Sequence, residues 1–424
     1  ESVQLDGEGA MFLFEKNYNA LHDPPQLRNY LNGTCQKGQL LMRGYVQELH
    51  NGRMLRNTYV RENARDDIVI HDDMVLFDLR EKNDKRPYEE PNLYYRSDDD
   101  QRTTMSGQIL LRGMFGDLLL QHSEELGAQV DPTITVHTAD RDRDILDPNS
   151  GVCPKLNDLE TEARSSKEYI QQFVKSGESK TIHALMDDLG GDFRESAMDC
   201  LVTTICNDRD LPDILDDFGR GTSNEKYGPD LFRRLYEFSY KPSTYLFRYN
   251  DAAFSKLAFG PLWVEILSNI LPFVPESSWN TVLSNMASEL RNPPPKLALF
   301  SAHDWTVLPL LTTLGPEVYN GEKFAPYASI IVIEMHNVET DFNSKSLYPT
   351  SRAFRLVYNG DVLTEKVPGC PKGAELCDVT HLINRVAPFA KKERDCDSTT
   401  KKEDSINAFL STKSGILTIL CTVA

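Results

Sequence analysis

The sequence predicts an α/β protein in which two stretches of alternating strand and helix flank a long helical insert. Three observations carry this. Strand-like runs pass directly into helix-like runs before residue 160 and after residue 291, the stretch between has few strand signals, and an Asn359-Gly360 pair turns one strand back on another. Strand and helix signals that alternate on both sides of an all-helical middle argue for an α/β domain interrupted by a cap.

In chain order, Leu41, Tyr45, Leu49, Leu55 and Tyr59 recur at spacings of four, four, six and four, close to one face of an amphipathic helix. The polar, proline-bounded run between Arg80 and Asn92 predicts a surface loop. Asn92-Leu93-Tyr94-Tyr95 reads as a short strand, followed by Arg96 to Arg102 and a helical stretch through Met114. Ser97, Asp98 and Asp99 are natural N-cap residues for that helix, because a short oxygen-bearing side chain satisfies its free N–H groups. Thr133-Ile134-Thr135-Val136 reads as another strand, leading into His137. Strands resume at Lys296 to Phe300, Ser329 to Met335 and Phe354 to Tyr358. Asn359-Gly360 then predicts a type I′ hairpin into Asp361-Val362-Leu363, since both residues tolerate positive φ. The predicted organisation is a discontinuous α/β core over 1–159 and 292–400, a helical cap over 160–291, and a linker with an apolar tail over 401–424.

A formal net charge of −18 argues against binding to a phosphate backbone, which needs Lys and Arg gathered on one face. The densest basic group, Lys391, Lys392 and Arg394, is offset by Glu393, Asp395 and Asp397 and reads as a solvated segment. None of the eight cysteines forms a CxxC pair or sits at zinc-finger spacing beside histidines, so disulfides explain them better than a structural metal. The sequon Asn32-Gly33-Thr34 agrees with an exported, glycosylated chain. A first residue of Glu fits a processed or partial chain with a removed signal peptide. The apolar run Gly415 to Ala424 stops at ten residues, short of the about 20 a spanning helix needs. It reads as the first half of a membrane anchor or as a hydrophobic tail.

The sharpest local feature is Leu299-Phe300-Ser301-Ala302-His303-Asp304-Trp305, an apolar strand running into a His-Asp pair and then into a helix. Pro309 is tolerable only near that helix's first turn, and Gly315-Pro316 ends it. In open α/β sheets ligands bind outside the carboxyl ends of the strands, and a helix N-terminus favours an anion. Arg96 repeats the strand-to-helix geometry. One turn with a fixed guanidinium and another with an imidazole and a carboxylate would make a phosphate site with an acid beside it. Other roles stay open on these residues alone: Asp304 and Asp98 as N-caps, His303 as a hydrogen-bonded buried histidine, Arg96 in an ion pair with the aspartates after it. Adjacent His and Asp project in different directions and no HxH or HxxxH accompanies them, so no metal site is expected. The GxSxG elbow of a serine hydrolase is absent around Ser301.

Ser301-Ala302-His303-Asp304 resembles the His-Asp signature of the histidine acid phosphatases, branch 2 of the histidine phosphatase superfamily. Arg96-Ser97-Asp98-Asp99-Asp100-Gln101-Arg102-Thr103 resembles their arginine motif, with Asp98 where threonine is usual and hence an extra carboxylate near the anion site. Further markers fall in the family's order: Gly38-Gln39-Leu40 with Arg43-Gly44 and Leu55-Arg56, Val136-His137-Thr138, Cys153-Pro154, Tyr358-Asn359-Gly360 and Pro368-Gly369-Cys370. The resemblance implies a mixed sheet flanked by helices, phosphoglycerate-mutase-like, with an inserted cap. It implies hydrolysis of small phosphomonoesters through a phosphohistidine, with no cofactor or metal. Arg96 and His303 would bind phosphate and Asp304 would be the proton donor. It also implies disulfides Cys370–Cys377 and Cys153–Cys396, with Cys200–Cys206 paired by proximity, and a secretory-pathway location that is extracellular, lysosomal or membrane-anchored.

The family's Arg-His-Gly-x-Arg-x-Pro nucleophile motif does not occur in these residues. The one histidine before Cys35 is His22, in Ala20-Leu21-His22-Asp23-Pro24-Pro25, without the arginine before it or the glycine after it. The expectation is a chain that starts after the first strand of an active phosphatase; the alternative is a non-catalytic domain that binds phosphorylated ligands through Arg96 and His303.

Overall fold

The computed structural model describes residues 40–62, 74–126, 132–140, 143–188, 195–210, 227–228, 230–276, 290–338 and 350–397. They fall into two compact units, the first drawn from residues up to 141 and from 290–302, the second from 142–289 and from 303 onward. This division differs from the core-and-cap boundaries at 159 and 292. The residues around 143–165 are tied to the chain after 303 by the Cys153–Cys396 disulfide and by the Thr306 hydroxyl, which donates to the Leu146 carbonyl.

In the first unit, α1 (Met42–Tyr59) leads into β1 (Val60–Arg61), which pairs in parallel with β2 (Phe77–Asp78). The line of α1 that is buried runs through Gly44, Glu48 and Gly52, while Leu41, Tyr45, Leu49, Leu55 and Tyr59 are not among its buried residues. The shift from the apolar stripe has a steric cause. A Cβ on Gly52 would lie 2.0 Å from the Leu110 carbonyl oxygen and 2.9 Å from the Cα of Gly113, so the two helix backbones touch where both residues lack side chains. Of the apolar stripe, Leu55 and Tyr59 are partly buried and pack against the core of this unit. Arg56 closes the crossing by donating to the Met114 carbonyl at 2.7 Å.

The segment after β2 is less superficial than its composition suggests. Asp84 is buried, accepts from the Asp78 N–H at 2.9 Å and pairs with Lys296 at 2.5 Å. Tyr88 is 1% exposed and lies against Phe115. The predicted surface loop is therefore anchored at two points, one by an ion pair and one by a ring.

β3 (Leu93–Ser97) pairs in parallel with β4 (Leu297–Ser301), from Leu93 opposite Leu297 to Ser97 opposite Ser301. Leu93 and Tyr95 face a core built from Val60, Phe77, Tyr88 and the Leu111, Met114, Phe115 and Leu119 side of α2 (Gln101–Leu126), with Leu297 and Leu299 packed at its margin. Gly107 of α2 is required here, because a Cβ would meet the Tyr95 hydroxyl at 2.3 Å. The strand predicted at Thr133 to Val136 is not formed. Ile134 and Val136 pack on the core, but the backbone meets β3 at a single bridge, His137 opposite Arg96.

The second unit holds α3 (Lys155–Ser165), a turn of π-helix at Ile170–Val174, α4 (Gly177–Asp188), α5 (Glu195–Cys206) and α6 (Leu231–Ile270). α6 is broken at Tyr249–Ala252, where Asn250, Asp251 and Ala252 have φ of 49°, 54° and 58°. α7 (Asp304–Leu314) packs on α6, and the Trp263 indole N–H donates to Thr313 Oγ1 at 2.9 Å. Pro309 lies in the second turn of α7, beyond the first turn to which sequence reasoning confined it, in a helix buried from Leu308 to Leu314 apart from Leu310. β5 (Ile331–Asn337), β6 (Arg352–Tyr358) and β7 (Asp361–Val362) form an antiparallel meander, with β8 (Cys377–Asp378) also on β6. Asn359 and Gly360 have φ of 50° and 90°, as a type I′ turn requires. α8 (Val379–Val386) is capped by Asp378, which accepts from the Thr380 N–H at 3.0 Å. Arg394, read from sequence as solvated, is half-buried and donates to the Ala258 carbonyl at 3.1 Å.

Glu48 is 7% exposed, and the hydrogen bond it accepts from the Asn51 carboxamide is long at 3.4 Å. Burial pushes its carboxyl up to about 7 from the ordinary 4.5. The folded chain therefore holds this proton more tightly than the unfolded chain. The stability it confers is complete below pH 4.5 and is lost as pH rises through 7. Glu48→Gln is expected to flatten this dependence, by about 3 kcal/mol between pH 4 and 8 in chemical unfolding. Gly52→Ala is expected to lower the unfolding free energy by about 1–3 kcal/mol, read as a lower urea midpoint, because the new methyl overpacks a backbone contact.

Candidate phosphate site

Arg96 is the fourth residue of β3 and lies on the face opposite Leu93 and Tyr95, half-buried. After Ser97 the chain turns through Asp98, Asp99 and Asp100 into α2. Asp98, 5% exposed, accepts from the Thr103 hydroxyl and from the Asp100 N–H, the latter at 3.4 Å. Its carbonyl accepts from Thr104 Oγ1 at 3.2 Å. The extra carboxylate is thus engaged by the turn before α2 and by the Thr103 hydroxyl, while the N-cap position falls on Asp100, whose carbonyl accepts from the Thr104 N–H at 3.0 Å, and not on Ser97, Asp98 or Asp99 as the sequence suggests. Asp100 pairs with Arg102 at 2.9 Å. Ser301, opposite Ser97 at the end of β4, donates to the Thr103 carbonyl at 2.5 Å and fixes β4 against the same turn.

The His-Asp pair opens α7 in the second unit. His303 is the N-cap, with extended φ and ψ of −105° and 167°. Its backbone N–H donates to Thr306 Oγ1 at 3.3 Å and its carbonyl accepts from the Thr306 and Val307 N–H groups at 3.0 Å. The Thr306 side chain therefore does part of the capping, and the imidazole is half-buried. Asp304 is exposed, and its Oδ1 accepts from the Trp305 N–H at 2.8 Å. The Trp305 ring stands edge-on to Phe247 of α6 at 4.9 Å, so α7 enters from a fixed direction. Chemically, each unit presents a strand or extended segment running into a helix N-terminus. One carries a guanidinium, the other an imidazole and an exposed carboxylate, and a helix N-terminus favours an anion.

Cys153 is bonded to Cys396 and Cys370 to Cys377. The suggested Cys200–Cys206 pair rests on a Cys200 side chain outside the described residues, as do His22, Asn32, Cys35, Cys421 and the apolar run from Gly415. Among the described residues no helix is long and apolar enough to cross a membrane. The sequence marks Val136-His137-Thr138 but carries no sign that His137 lies beside Arg96. That adjacency depends on a bridge between distant segments, for which the local pattern carries no signal.

A family model described as histidine phosphatase superfamily (branch 2) matches residues 8–359. The bovine (Bos taurus) lysosomal acid phosphatase is 29% identical over 304 residues, covering 71% of this chain and 64% of that protein; the human one is 29% identical over 311 residues with the same coverage. Human lysophosphatidic acid phosphatase type 6 is 24% identical over 364 residues, 85% of this chain and 68% of its own length. The matched region thus spans less than two thirds of the lysosomal relatives. Among solved structures, a phytase from Citrobacter braakii matches with 13% identity and a TM-score of 0.49, covering 86% of this chain and 91% of that one.

Asp98→Ala is expected to cost about 1–2 kcal/mol of stability, measured by denaturant unfolding, because it removes the buried acceptor of the Thr103 hydroxyl and the Asp100 N–H.

Proposed function

The chain belongs to branch 2 of the histidine phosphatase superfamily, and we propose that it provides the phosphate-binding and proton-donating part of an acid phosphatase acting on small phosphomonoesters. The observation that carries the reading is the pair of in-register strands, β3 bearing Arg96 and β4 running within two residues into His303 and Asp304. In the family's chemistry a histidine nitrogen attacks phosphorus and the ester oxygen leaves. The leaving oxygen takes its proton from an aspartic acid, and water then cleaves the phosphohistidine. We assign that proton to Asp304, and assign Arg96 and His303 to the non-bridging oxygens, where charge develops. The exposure of Asp304 supports its role, since a donor must reach the leaving group. Its acid must be protonated at departure, so turnover is expected to fall as pH rises.

These residues do not contain the Arg-His-Gly-x-Arg-x-Pro motif, and His22 lacks its flanks. We therefore assign no nucleophile within them and expect little turnover from the 424 residues alone. The lysosomal relatives and the two disulfides support a location in the secretory pathway.

At about pH 5, inorganic phosphate or vanadate is expected to raise the melting temperature of the chain. Arg96→Ala and His303→Ala should each weaken that binding at least about tenfold, the value of one charge-assisted contact. An aryl phosphate should be hydrolysed poorly or not at all. Robust hydrolysis abolished by His22→Ala would overturn the nucleophile assignment. Binding without turnover even when a separate segment bearing the motif is supplied would favour a pseudophosphatase.

A further inference from the structure

β3 is paired on both sides at one level. Arg96 is opposite Phe300 of β4 on one flank and opposite His137 on the other, where the Ser97 N–H donates to the His137 carbonyl at 3.0 Å and the His137 N–H donates to the Tyr95 carbonyl at 2.8 Å. Residues paired in this way project from the same face, with neighbouring strands about 4.8 Å apart. The Arg96 side chain is thus flanked by an imidazole and a phenyl ring.

Both rings lean back onto Tyr94, two residues earlier on the same face: His137 with ring centroids 4.6 Å apart, Phe300 edge-on at 5.9 Å. The Arg291 guanidinium lies over the Tyr94 ring at 3.5 Å, and Tyr94 is 4% exposed. The imidazole is held at its far end by Nε2, which shares a 2.5 Å hydrogen bond with Glu90 Oε1. Tyr94, next to Arg96 on this face, is thus packed by His137, Phe300 and Arg291.

We infer that His137, seated on Tyr94 and mirrored by Phe300, is a positioning residue that aims the Arg96 guanidinium at the phosphate. It touches no substrate; it removes the rotamers in which Arg96 would swing sideways or back. The inference rests on the phosphate-site reading above. Its physical content is steric, so an aromatic ring of similar size should replace the imidazole, whereas loss of the ring should free the arginine. A guanidinium displaced by about 1 Å loses bidentate geometry, and errors of that size cost up to about a hundredfold at reacting centres.

The test is equilibrium binding of inorganic phosphate and of vanadate to the full chain, by calorimetry at about pH 5. His137→Ala is expected to weaken binding about tenfold, and His137→Phe to restore it to within about twofold of the parent. A merely structural histidine would lower the melting temperature without this pattern of loss and rescue. Binding unchanged in His137→Ala, or equally weak in His137→Phe, overturns the inference. If His137→Ala does not fold, Phe300→Ala decides in the same way, with tenfold weakening expected and unchanged binding against it. Arg96→Ala separates the two levels. If it binds phosphate as well as the parent, the phosphate-site reading fails; if it does not while His137→Ala does, only the positioning role fails.

Discussion

The register between β3 and β4 is the constraint on which the placement of Arg96 depends. It joins segments some two hundred residues apart in sequence, so no local preference sets it, and burial does. Leu93 and Tyr95 share the core face with Leu297 and Leu299, and the opposite face carries Tyr94, Arg96, Ala298 and Phe300. A slip of one residue would turn Leu297 and Leu299 out and bring Ala298 and Phe300 in, because successive side chains alternate. The core thus fixes which face Arg96 occupies and which ring stands beside it.

The same register places the two strand ends at one level, Ser97 opposite Ser301, and each is followed by a helix. Strand-to-helix turns leave N–H groups to be satisfied. Neighbouring hydroxyls supply much of the bonding at both turns, Thr103 and Thr104 with Asp98 before α2 and Thr306 with His303 before α7. The consequence is electrostatic. A turn capped by its own hydroxyls needs no charged ligand to hold its shape, so an anion arriving there adds to an ordered frame.

Much of this was legible in the sequence because its causes are local. Asn359-Gly360 dictates its turn, the passage from Leu299 through Asp304 to Leu314 changes period from strand to helix within a few residues, and the motifs around Arg96 and His303 stand in order. What escaped depends on partners. The buried line of α1 passes through Gly44, Glu48 and Gly52 because another glycine, Gly113, meets it, and no periodicity of apolar residues encodes that. Tyr88 and Asp84 sit in a polar run that looks solvated until Phe115 and Lys296 are placed against them. Thr133 to Val136 has strand composition, yet its backbone reaches β3 only at His137. Sequence patterns name the faces; long-range contacts decide which are used.

A net charge of −18 looks ill-suited to an anionic ligand, but the two facts act at different ranges. Charges farther apart than about 8 Å are largely screened at physiological ionic strength. Under the proposed function, a small phosphate on arrival responds to the nearest guanidinium, the N–H groups of a helix end and the dipole behind them. A polyanion, in contrast, must lie along an extended surface and meets the full excess of carboxylates. The composition therefore discriminates against long phosphate backbones while leaving room for a single phosphoryl group held at short range. Under the proposed function, that discrimination places the weight of recognition on how accurately one side chain, Arg96, is aimed, which is the role inferred for the His137 ring paired beside it.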